Sequence, residues 1–309
     1  MLPWRIGRLS IIALRSLVMA LASNQYSKNA QISRDRKCPS HARPIVKWAG
    51  GKRQLLSTLK SNLPVQFGRY FEPMVGGGAL LFHLKPENAC IGDVNAELVN
   101  LYQVVRDEVE ELIEDLSKHI YEKEYFYQLR EVDRSEVFKS WESVQKASRF
   151  LYLNRSCFNG LYRVNSSGYF NVPFGRYTNP RILDAKNLRA CSKVLQNCEI
   201  DVASFDAIAD VVKPGDFVYF DPPYVPLTAT ANFTSYTKAG FDVEMQIALR
   251  DLCVELDRRG VKFLLSNSSA PLVLGLYRGF DLQLVDAARA INSNAKKRGK
   301  IKEALVKNY

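Results

Sequence analysis

The segment Asp221-Pro222-Pro223-Tyr224 combines residue types that could activate an amino group on a planar ring. It follows residues 217–220, whose four apolar side chains predict a buried strand. The two prolines lack N–H donors, so carbonyl oxygens beside the carboxylate stay free as acceptors. The Asp221 carboxylate and a proline carbonyl would hold both N–H bonds of an exocyclic amino group and free its lone pair for attack. We predict that Asp221, Pro222 and Tyr224 are catalytic, the alternative being a plain strand-ending turn.

A glycine-rich turn predicts a second binding element. Gly76-Gly77-Gly78 lies between a predicted strand at 69–72 and a predicted helix at 79–84. Glycines permit positive φ and close backbone approach, and a helix N-terminus offers free N–H groups. Asp93 ends the next predicted strand about 20 residues later, where a carboxylate can accept the hydroxyls of a ribose. This βαβ unit predicts a nucleoside-containing ligand, a ligand-free tight turn being the alternative; no ATP-type lysine motif is present.

The elements that position these segments predict an α/β domain with an insertion. Residues from 96 to about 150 have helical spacing of their apolar side chains. A hairpin is predicted beyond them, with Ser166-Ser167-Gly168 as the turn between residues 161–164 and 169–172. The α/β pattern returns after residue 186, with strand 217–220, helix 243–259 and strand 261–265.

Composition sets the class of protein but says little about its ligand. The 309 residues are 47% hydrophobic and 24% charged, as in soluble globular proteins of about two domains. Apolar runs are too short for a membrane span. The net charge is +11, of which residues 1–43 supply +7, so the body of the chain is only mildly basic and charge is weak evidence for nucleic-acid binding.

Residues 1–43 differ from the rest of the chain and leave three interpretations open. They contain eight Lys and Arg residues against one acid, with no clear period. We favour a start codon assigned too early, with Met19 or a later position as the true start. A targeting peptide and a basic arm that binds phosphates are the other two interpretations.

Cysteines and histidines give no sign of a metal or disulfide framework. The six cysteines contain no C-x-x-C pair, and the three histidines are isolated. We predict reduced thiols and no metal site. A basic stretch from Arg289 to Lys307, containing Asn292-Ser293-Asn294 and Lys296-Lys297-Arg298, predicts a loop that binds phosphates, a solvated basic turn being the alternative.

The order of motifs resembles that of the Dam-type DNA adenine-N6 methyltransferases of the D12 class. The resemblance rests on four segments: Lys47-Trp48-Ala49-Gly50-Gly51-Lys52, Glu72-Pro73-Met74-Val75-Gly76-Gly77-Gly78, Asp93, and Asp221-Pro222-Pro223-Tyr224. Residues 153–155, 159–161, 170–177 and 229–234 are also similar, and the whole resemblance spans residues 44–309. Met74 and Phe158 depart from the family pattern, which often has Phe and Tyr there, and Ser156-Cys157 stand where bulkier residues are common.

The resemblance implies a fold and a domain division. It implies a Rossmann-like, S-adenosylmethionine-dependent methyltransferase domain at residues 44–94 and 184–309, with a mixed seven-stranded sheet and helices on both faces. Residues 95–183 would form an inserted target-recognition domain of helices and a β-hairpin. Residues 1–43 would be a disordered extension or the product of a wrongly assigned start.

The implied activity is site-specific methylation of adenine N6 in double-stranded DNA, at GATC. The base would be flipped out and methylated directly, without a covalent enzyme intermediate or a metal. The protein would be a monomer in the bacterial cytoplasm, associated with the nucleoid, and would act either in DNA replication and repair or beside a restriction endonuclease. Three rivals remain: methylation of cytosine N4 or another adenine site, a silent DNA- or cofactor-binding regulator, and methylation of glutamine amides, which Asp221 and the hairpin disfavour.

The resemblance also assigns site residues. Cofactor contacts fall on Trp48, Lys52, Asp93 and Asp221, and the glycine turn adds Glu72, Gly76 and Gly78. Tyr224 would stack on the flipped adenine. Arg163 would read a guanine, as arginine commonly does, while Leu161 and Pro173 would contact a thymine methyl group, ordinary hairpin packing being their alternative. The remaining predicted DNA contacts are Lys47 at the first guanine, Phe158 as a wedge, and Asn159 and Tyr177 at the backbone or in the gap left by flipping.

Overall fold

A seven-stranded mixed sheet forms the centre of the molecule. The computed structural model describes residues 42–225, 241–288 and 300–309. The strand order is β3-β2-β1-β4-β5-β7-β6, and β7 runs antiparallel to both of its neighbours while the other pairs are parallel. The predicted sheet is therefore confirmed. The strands are β1 Tyr70–Glu72, β2 Ala89–Asp93, β3 Cys198–Val202, β4 Phe217–Phe220, β5 Lys262–Ser268, β6 Asp281–Ala288 and β7 Lys300–Lys307.

Ten α-helices lie within the described part of the chain. They are α1 Leu56–Ser61, α2 Ala79–Leu84, α3 Ala96–Asp107, α4 Val109–Ser117, α5 Lys123–Glu131, α6 Glu136–Lys139, α7 Ser143–Ser156, α8 Ala185–Leu195, α9 Val243–Arg258 and α10 Pro271–Leu276. Short 3₁₀ turns occupy Lys52–Gln54, Val132–Arg134, Phe158–Gly160 and Phe205–Asp210.

Helices cover both faces of the sheet because side chains alternate along its central strands. Phe217 and Tyr219 of β4 belong to a buried cluster with α2, α3, α7 and α8. Val218 and Phe220 belong to a second cluster with α9 and α10. All four side chains of β4 are thus buried, as its unbroken apolar run predicts.

The strand order reverses between β1 and β4, which places the two predicted chemical segments side by side. Tyr70 pairs with Phe217 and Phe71 with Val218, in parallel. Because parallel strands end at the same edge of the sheet, the glycine turn after β1 and the acidic segment after β4 open into one crevice.

The predicted hairpin forms as isolated bridges rather than as two strands. Val164 pairs with Phe170, and Asn171 N donates to Arg163 O at 3.0 Å. Val164 and Phe170 form a pair whose own N–H and C=O groups point away from the opposite limb, so Phe170 N donates outward, to the Asp133 carboxylate at 2.9 Å. Pro173, which faces Leu161 in this register, has no N–H group with which to extend the pairing.

A buried arginine fixes this hairpin to the helices beneath it. Arg149 of α7 is 1% exposed and lies 2.8 Å from the Asp133 carboxylate and 3.6 Å from that of Glu97 in α3. Glu97 in turn accepts a hydrogen bond from the Tyr162 hydroxyl at 3.0 Å. Both limbs of the hairpin are therefore tied to one buried charge.

Other sequence predictions concern features outside the sheet. Five cysteines in the described ranges, at positions 90, 157, 191, 198 and 253, are free thiols. Among the described residues no helix is long and apolar enough to cross a membrane, and no acidic, histidine and cysteine side chains cluster as a metal site would require. The predictions for residues 1–41, 229–234 and the basic stretch from 289 to 299 lie outside the described residues.

Candidate active site

The carboxylate that ends β4 is paired with a buried lysine. Lys52 Nζ lies 2.6 Å from Asp221 Oδ1 and also donates to Gly50 O at 2.6 Å. Ser266 Oγ of β5 donates to the same Asp221 oxygen at 3.0 Å. Burial raises the pKa of Asp221, and the charge of Lys52 lowers it in part. Both donors bind Oδ1, so no hydrogen bond from the described residues reaches Oδ2.

Tyr224 forms the flat wall predicted beside this carboxylate. Lys52 Nζ lies 4.5 Å from the centre of its ring. Its hydroxyl donates to Glu303 Oε2 of β7 at 2.6 Å, which fixes the ring at the far end. Burial raises the pKa of Glu303, and Lys52 again lowers it in part. The strand β7 therefore contributes a carboxylate to the site that the sequence did not identify.

One of the carbonyl oxygens that the proline segment was predicted to offer to a ligand already accepts a hydrogen bond within the protein. Pro223 O accepts a hydrogen bond from Gln246 Nε2 of α9 at 3.1 Å. Gln246 is 1% exposed, so this bond is shielded from water. The carbonyl of Pro223 is thus engaged within the protein.

Trp48 packs directly on the glycine turn. Gly76 has φ of 45°, and a Cβ there would lie 2.8 Å from Trp48 Cδ1. The opposite side of the turn is held by Tyr102, whose hydroxyl donates to Gly76 O at 2.7 Å. Gly78 has φ of 63° and precedes α2 as its N-cap. The glycines are therefore required by conformation and, at Gly76, by lack of space.

Asp93 stands at the tip of β2 next to the same turn. Its Oδ2 accepts from Gly76 N at 3.1 Å, and its Oδ1 accepts from Asn95 N at 2.9 Å. Burial raises its pKa, and these two hydrogen bonds offset part of the effect. Each carboxylate oxygen keeps further lone pairs, so the group can still accept from ligand hydroxyls.

Glu72 is a buried acid beneath the turn. It is 2% exposed, and Tyr70 Oη donates to its Oε2 at 2.7 Å. Burial raises the pKa of Glu72 to about 8, although the hydrogen bond from Tyr70 opposes the rise. At neutral pH this group therefore holds a proton in the folded protein.

The raised pKa predicts a pH-dependent stability. Between about pH 4.5 and pH 8 the unfolded chain has released the Glu72 proton while the folded protein retains it, so stability falls as pH rises. We expect Glu72→Gln to remove this slope, an effect on the order of 4 kcal/mol at the alkaline end. Urea unfolding at several pH values would measure it. Glu87→Gln, at an exposed glutamate, is the control, and equal slopes in wild type and Glu72→Gln would contradict the prediction.

Four carboxyl groups with raised pKa values border this crevice: Glu72, Asp93, Asp221 and Glu303. Lys52 is the cation that lowers the pKa of two of them. A positively charged ligand would favour the ionised forms of the whole group. The arrangement suits a cationic ligand that also carries hydroxyl or amino donors.

Lys47 belongs to a second group of predicted residues, which lies with the helical region. Asn154 of α7 accepts from Lys47 N at 2.9 Å and donates to Lys47 O at 2.8 Å. Lys47 Nζ donates to Tyr177 Oη at 3.3 Å. Burial, followed by the charge of Arg155, lowers the pKa of Lys47. Lys47 and Tyr177, both of which are predicted DNA contacts, are thus hydrogen-bonded to each other.

The predicted wedge stands at the edge of a groove. Phe158 is 50% exposed, and the neighbouring Asn159 has a left-handed φ of 57°. The groove has a volume of about 720 Å³, and its walls are aromatic and basic. Its lining residues are Lys123, Tyr127, Phe158, Asn159, Pro173, Phe174, Arg176 and Tyr177.

Arg163 is exposed but held in one direction. Its Nε donates to Asn171 Oδ1 at 2.7 Å, and its Nη2 approaches Asn171 O at 3.4 Å. A guanidinium has five N–H donors, so the fork retains donors for a ligand. Leu161 is half-buried and Pro173 exposed on the same element.

The two groups of predicted residues meet at Trp48. Its ring stacks on that of Tyr162, with centroids 5.6 Å apart and an interplanar angle of 22°. Phe150 of α7 lies 6.5 Å away. Since Tyr162 lies between Leu161 and Arg163 in sequence, the predicted DNA-reading hairpin touches the wall of the predicted cofactor turn.

Sequence reasoning missed three residues that contact the predicted site, Gln246, Ser266 and Glu303, and also missed Asn267, which binds Gln246. A signal existed for two of them, because Ser266 and Asn267 are polar residues at the carboxyl end of an apolar strand, β5, that lies beside β4. Glu303 could not be found in this way. Its place depends on the antiparallel pairing of Glu303 with Ser268, which follows no local pattern.

The comparisons with known proteins agree with one another on one family. The family model for D12 class N6 adenine-specific DNA methyltransferase matches residues 48–291. Type II methyltransferase M1.LlaDCHI of Lactococcus lactis subsp. cremoris is 46% identical over 271 residues, which cover 86% of this chain and 95% of that protein. M.MjaIII of Methanocaldococcus jannaschii, also a type II methyltransferase, is 43% identical over 287 residues, covering 86% and 99%. DNA adenine methylase of Escherichia coli (strain K12) is 36% identical over 268 residues, covering 85% and 94%.

Proposed function

Because this chain belongs to the D12 class of N6 adenine-specific DNA methyltransferases, we propose that it methylates the adenine of duplex GATC after flipping that base out of the helix. Methylation of adenine N6 in DNA with S-adenosylmethionine as cofactor is the activity of the family. The observation that carries the proposal for the chemistry is the Asp221 carboxylate at the β1/β4 crevice, with Oδ2 directed at no described donor.

The crevice fits the cofactor on its own chemistry. Its cluster of buried carboxyl groups suits a ligand with a positive sulfur, an ammonium group and ribose hydroxyls. We propose that Trp48, Lys52, Asp93 and Asp221 hold it, with the glycine turn approaching it through backbone. When bound, S-adenosylmethionine supplies a methyl group already activated by the positive sulfur, so the residues here need not activate it.

Asp221 and Tyr224 would receive the flipped adenine. Asp221 Oδ2 would accept one N–H of the exocyclic amino group, while Lys52 on Oδ1 favours the ionised carboxylate. Tyr224 would stack on the base. Flipping costs a few kcal/mol, and stacking at ~1–3 kcal/mol per base offsets part of that cost.

Target reading would fall to the hairpin. Asn171 holds the Arg163 fork in one direction, which reduces the entropy lost when the fork binds a guanine. Phe158 would enter the helix beside the flipped base, supported by Asn159 and Tyr177. Leu161 and Pro173 would contact a thymine methyl group, and Lys47 the first guanine.

The domain division and cellular setting are part of the same proposal. We assign residues 44–94 and 184–309 to catalysis and residues 95–183 to target recognition, although α3 also packs on β2 and β3. We propose a monomer acting in the bacterial cytoplasm at the nucleoid. Relatives named type II methyltransferases share more identity with the chain than those named DNA adenine methylase, which favours a modification role beside a restriction endonuclease.

A direct assay tests the target. The full chain is incubated with cofactor and either a GATC duplex or a GTAC duplex of identical composition and flanks. Each wrong base pair costs ~1–3 kcal/mol, so we expect methylation of GATC to be faster by about 100-fold or more. N6-methyladenine is measured by mass spectrometry after digestion to nucleosides. Equal rates on the two duplexes would refute GATC specificity, and methylcytosine would refute adenine as the target.

A further inference from the structure

A chain of three hydrogen bonds runs from β5 through α9 to the proline segment. Ser268 N donates to Asn267 Oδ1 at 2.7 Å, and Asn267 Nδ2 donates to Gln246 Oε1 at 3.0 Å. Gln246 Nε2 then donates to Pro223 O at 3.1 Å. Ser268, Asn267 and Gln246 are 5%, 0% and 1% exposed, so water does not compete for these bonds.

The donors and acceptors of these three hydrogen bonds can be arranged in only one direction. A backbone N–H can only donate, which fixes Asn267 Oδ1 toward Ser268 and its amide nitrogen toward Gln246. Gln246 must then present its oxygen to Asn267 and its nitrogen to Pro223. Each side-chain amide is oriented by the bond before it, beginning from the main chain of β5.

The side chains of Asp221 and Tyr224 are held by Lys52, Ser266 and Glu303, but the main chain between them has few supports. Residues 221–225 have no regular secondary structure, and its two prolines have no N–H groups to donate. The Gln246 bond therefore fixes the main chain midway between the carboxylate of Asp221 and the ring of Tyr224. A small rotation of this main chain would misplace both groups.

We propose that Gln246 and Asn267 are positioning residues that hold the Asp221–Tyr224 segment in its reactive geometry through the direction of their amide groups. The proposal rests on the function proposed above. It predicts that the rate of methyl transfer depends on the direction of these hydrogen bonds and not only on the space that the two side chains fill. Gln246→Glu and Asn267→Asp keep the volume of each side chain but replace its N–H donor with an acceptor oxygen.

Two such variants give a distinctive pH dependence. An ionised carboxylate in Gln246→Glu would face Pro223 O without a proton. In Asn267→Asp it would attract the Gln246 nitrogen and turn its oxygen to Pro223. Burial raises the pKa of such carboxyl groups, and the protonated form has an O–H that restores each bond. We expect single-turnover rates about 10–100-fold below wild type near pH 8.5, with the ratio to wild type recovering toward pH 6.

The measurement uses the full chain at saturating cofactor and GATC duplex, with binding of each ligand determined separately. Gln246→Met, which loses the bond without reversing it, should show a smaller loss whose ratio to wild type does not change with pH. Leu256→Ala, in the same helix but ten residues farther on, controls for loosened packing of α9.

The possible outcomes are distinct. A loss that is independent of pH, or that Leu256→Ala reproduces at a matched fall in melting temperature, would overturn the positioning role. Wild-type rates in both carboxylate variants near pH 8.5 would overturn it as well. Failure of the wild-type protein to methylate adenine would instead overturn the proposed function, since the positioning role is measured only relative to an active wild type.

Discussion

Replacing Asp221 with alanine is expected to abolish methyl transfer while the sheet and helices remain folded. The substitution removes the proposed acceptor for the adenine amino group, and loss of one group that stabilises developing charge costs about 10²–10³-fold. It also leaves Lys52, 5% exposed, without its partner at 2.6 Å. Lys52 keeps its bond to Gly50 O and the charge of Glu303, so the melting temperature should fall, but by less than the roughly 3–5 kcal/mol of a wholly uncompensated buried charge implies.

Asp221→Asn separates the two effects. It keeps the shape of the side chain and an oxygen that can accept from Ser266 and Lys52, but it removes the negative charge. We expect stability closer to wild type and methylation nearly as low as in the alanine variant. Transfer of labelled methyl groups to GATC duplex measures activity, and circular dichroism measures folding. Substantial activity in either variant would refute the catalytic role of Asp221.

Replacing Gly76 with alanine is expected to have the next largest effect, on cofactor binding. The residue has φ of 45°, where a Cβ costs roughly 1–2 kcal/mol. That Cβ would also lie 2.8 Å from Trp48 Cδ1 and 2.9 Å from Nε1, so the indole must move. Because the turn also donates Gly76 N to Asp93, the displacement should disturb both proposed cofactor contacts. We expect affinity for S-adenosylmethionine to fall by about 10-fold or more.

Gly215→Ala is the matched control for backbone strain. Gly215 has φ of 89° and precedes β4 at the end opposite Asp221, and a Cβ added there would meet no described atom within 4 Å. The Gly215→Ala variant therefore has the backbone strain of a positive φ but no collision with Trp48. Isothermal titration with the cofactor should show near-normal affinity for Gly215→Ala. Normal affinity in Gly76→Ala would show that the turn does not approach the cofactor.

Local sequence patterns predicted those strands and helices whose apolar residues are all buried or whose ends are marked by a distinctive residue. The predicted strand that ends at Asp93, the predicted strand 217–220 and the predicted helix 79–84 agree with the observed elements. Each has a continuous apolar run or a clear boundary, namely an acid after the strand or glycines before the helix.

Long-range partners could not be predicted in the same way. Lys52 lies in a short 3₁₀ turn far from residue 221 in sequence, and nothing local indicates their 2.6 Å contact. The hairpin was predicted as paired strands, but it forms only isolated bridges, and Asp133, 37 residues away in sequence, anchors it by accepting from the outward-facing Phe170 N. Neither the partner of Asp221 nor this anchor of the hairpin is encoded in a local pattern.

The indole of Trp48 contacts both the glycine turn and the hairpin, which we propose serve two different functions. One edge packs on Gly76, and its face stacks on Tyr162 of the hairpin at 5.6 Å. If these roles are as proposed, a recognition hairpin transplanted from a methyltransferase of different specificity would replace the ring that packs against Trp48 at the methyl-donor site. Such a chimaera needs an aromatic ring at position 162 as well as new base-reading side chains. We therefore expect that changing the hairpin to alter the DNA target would also change the affinity for the methyl donor.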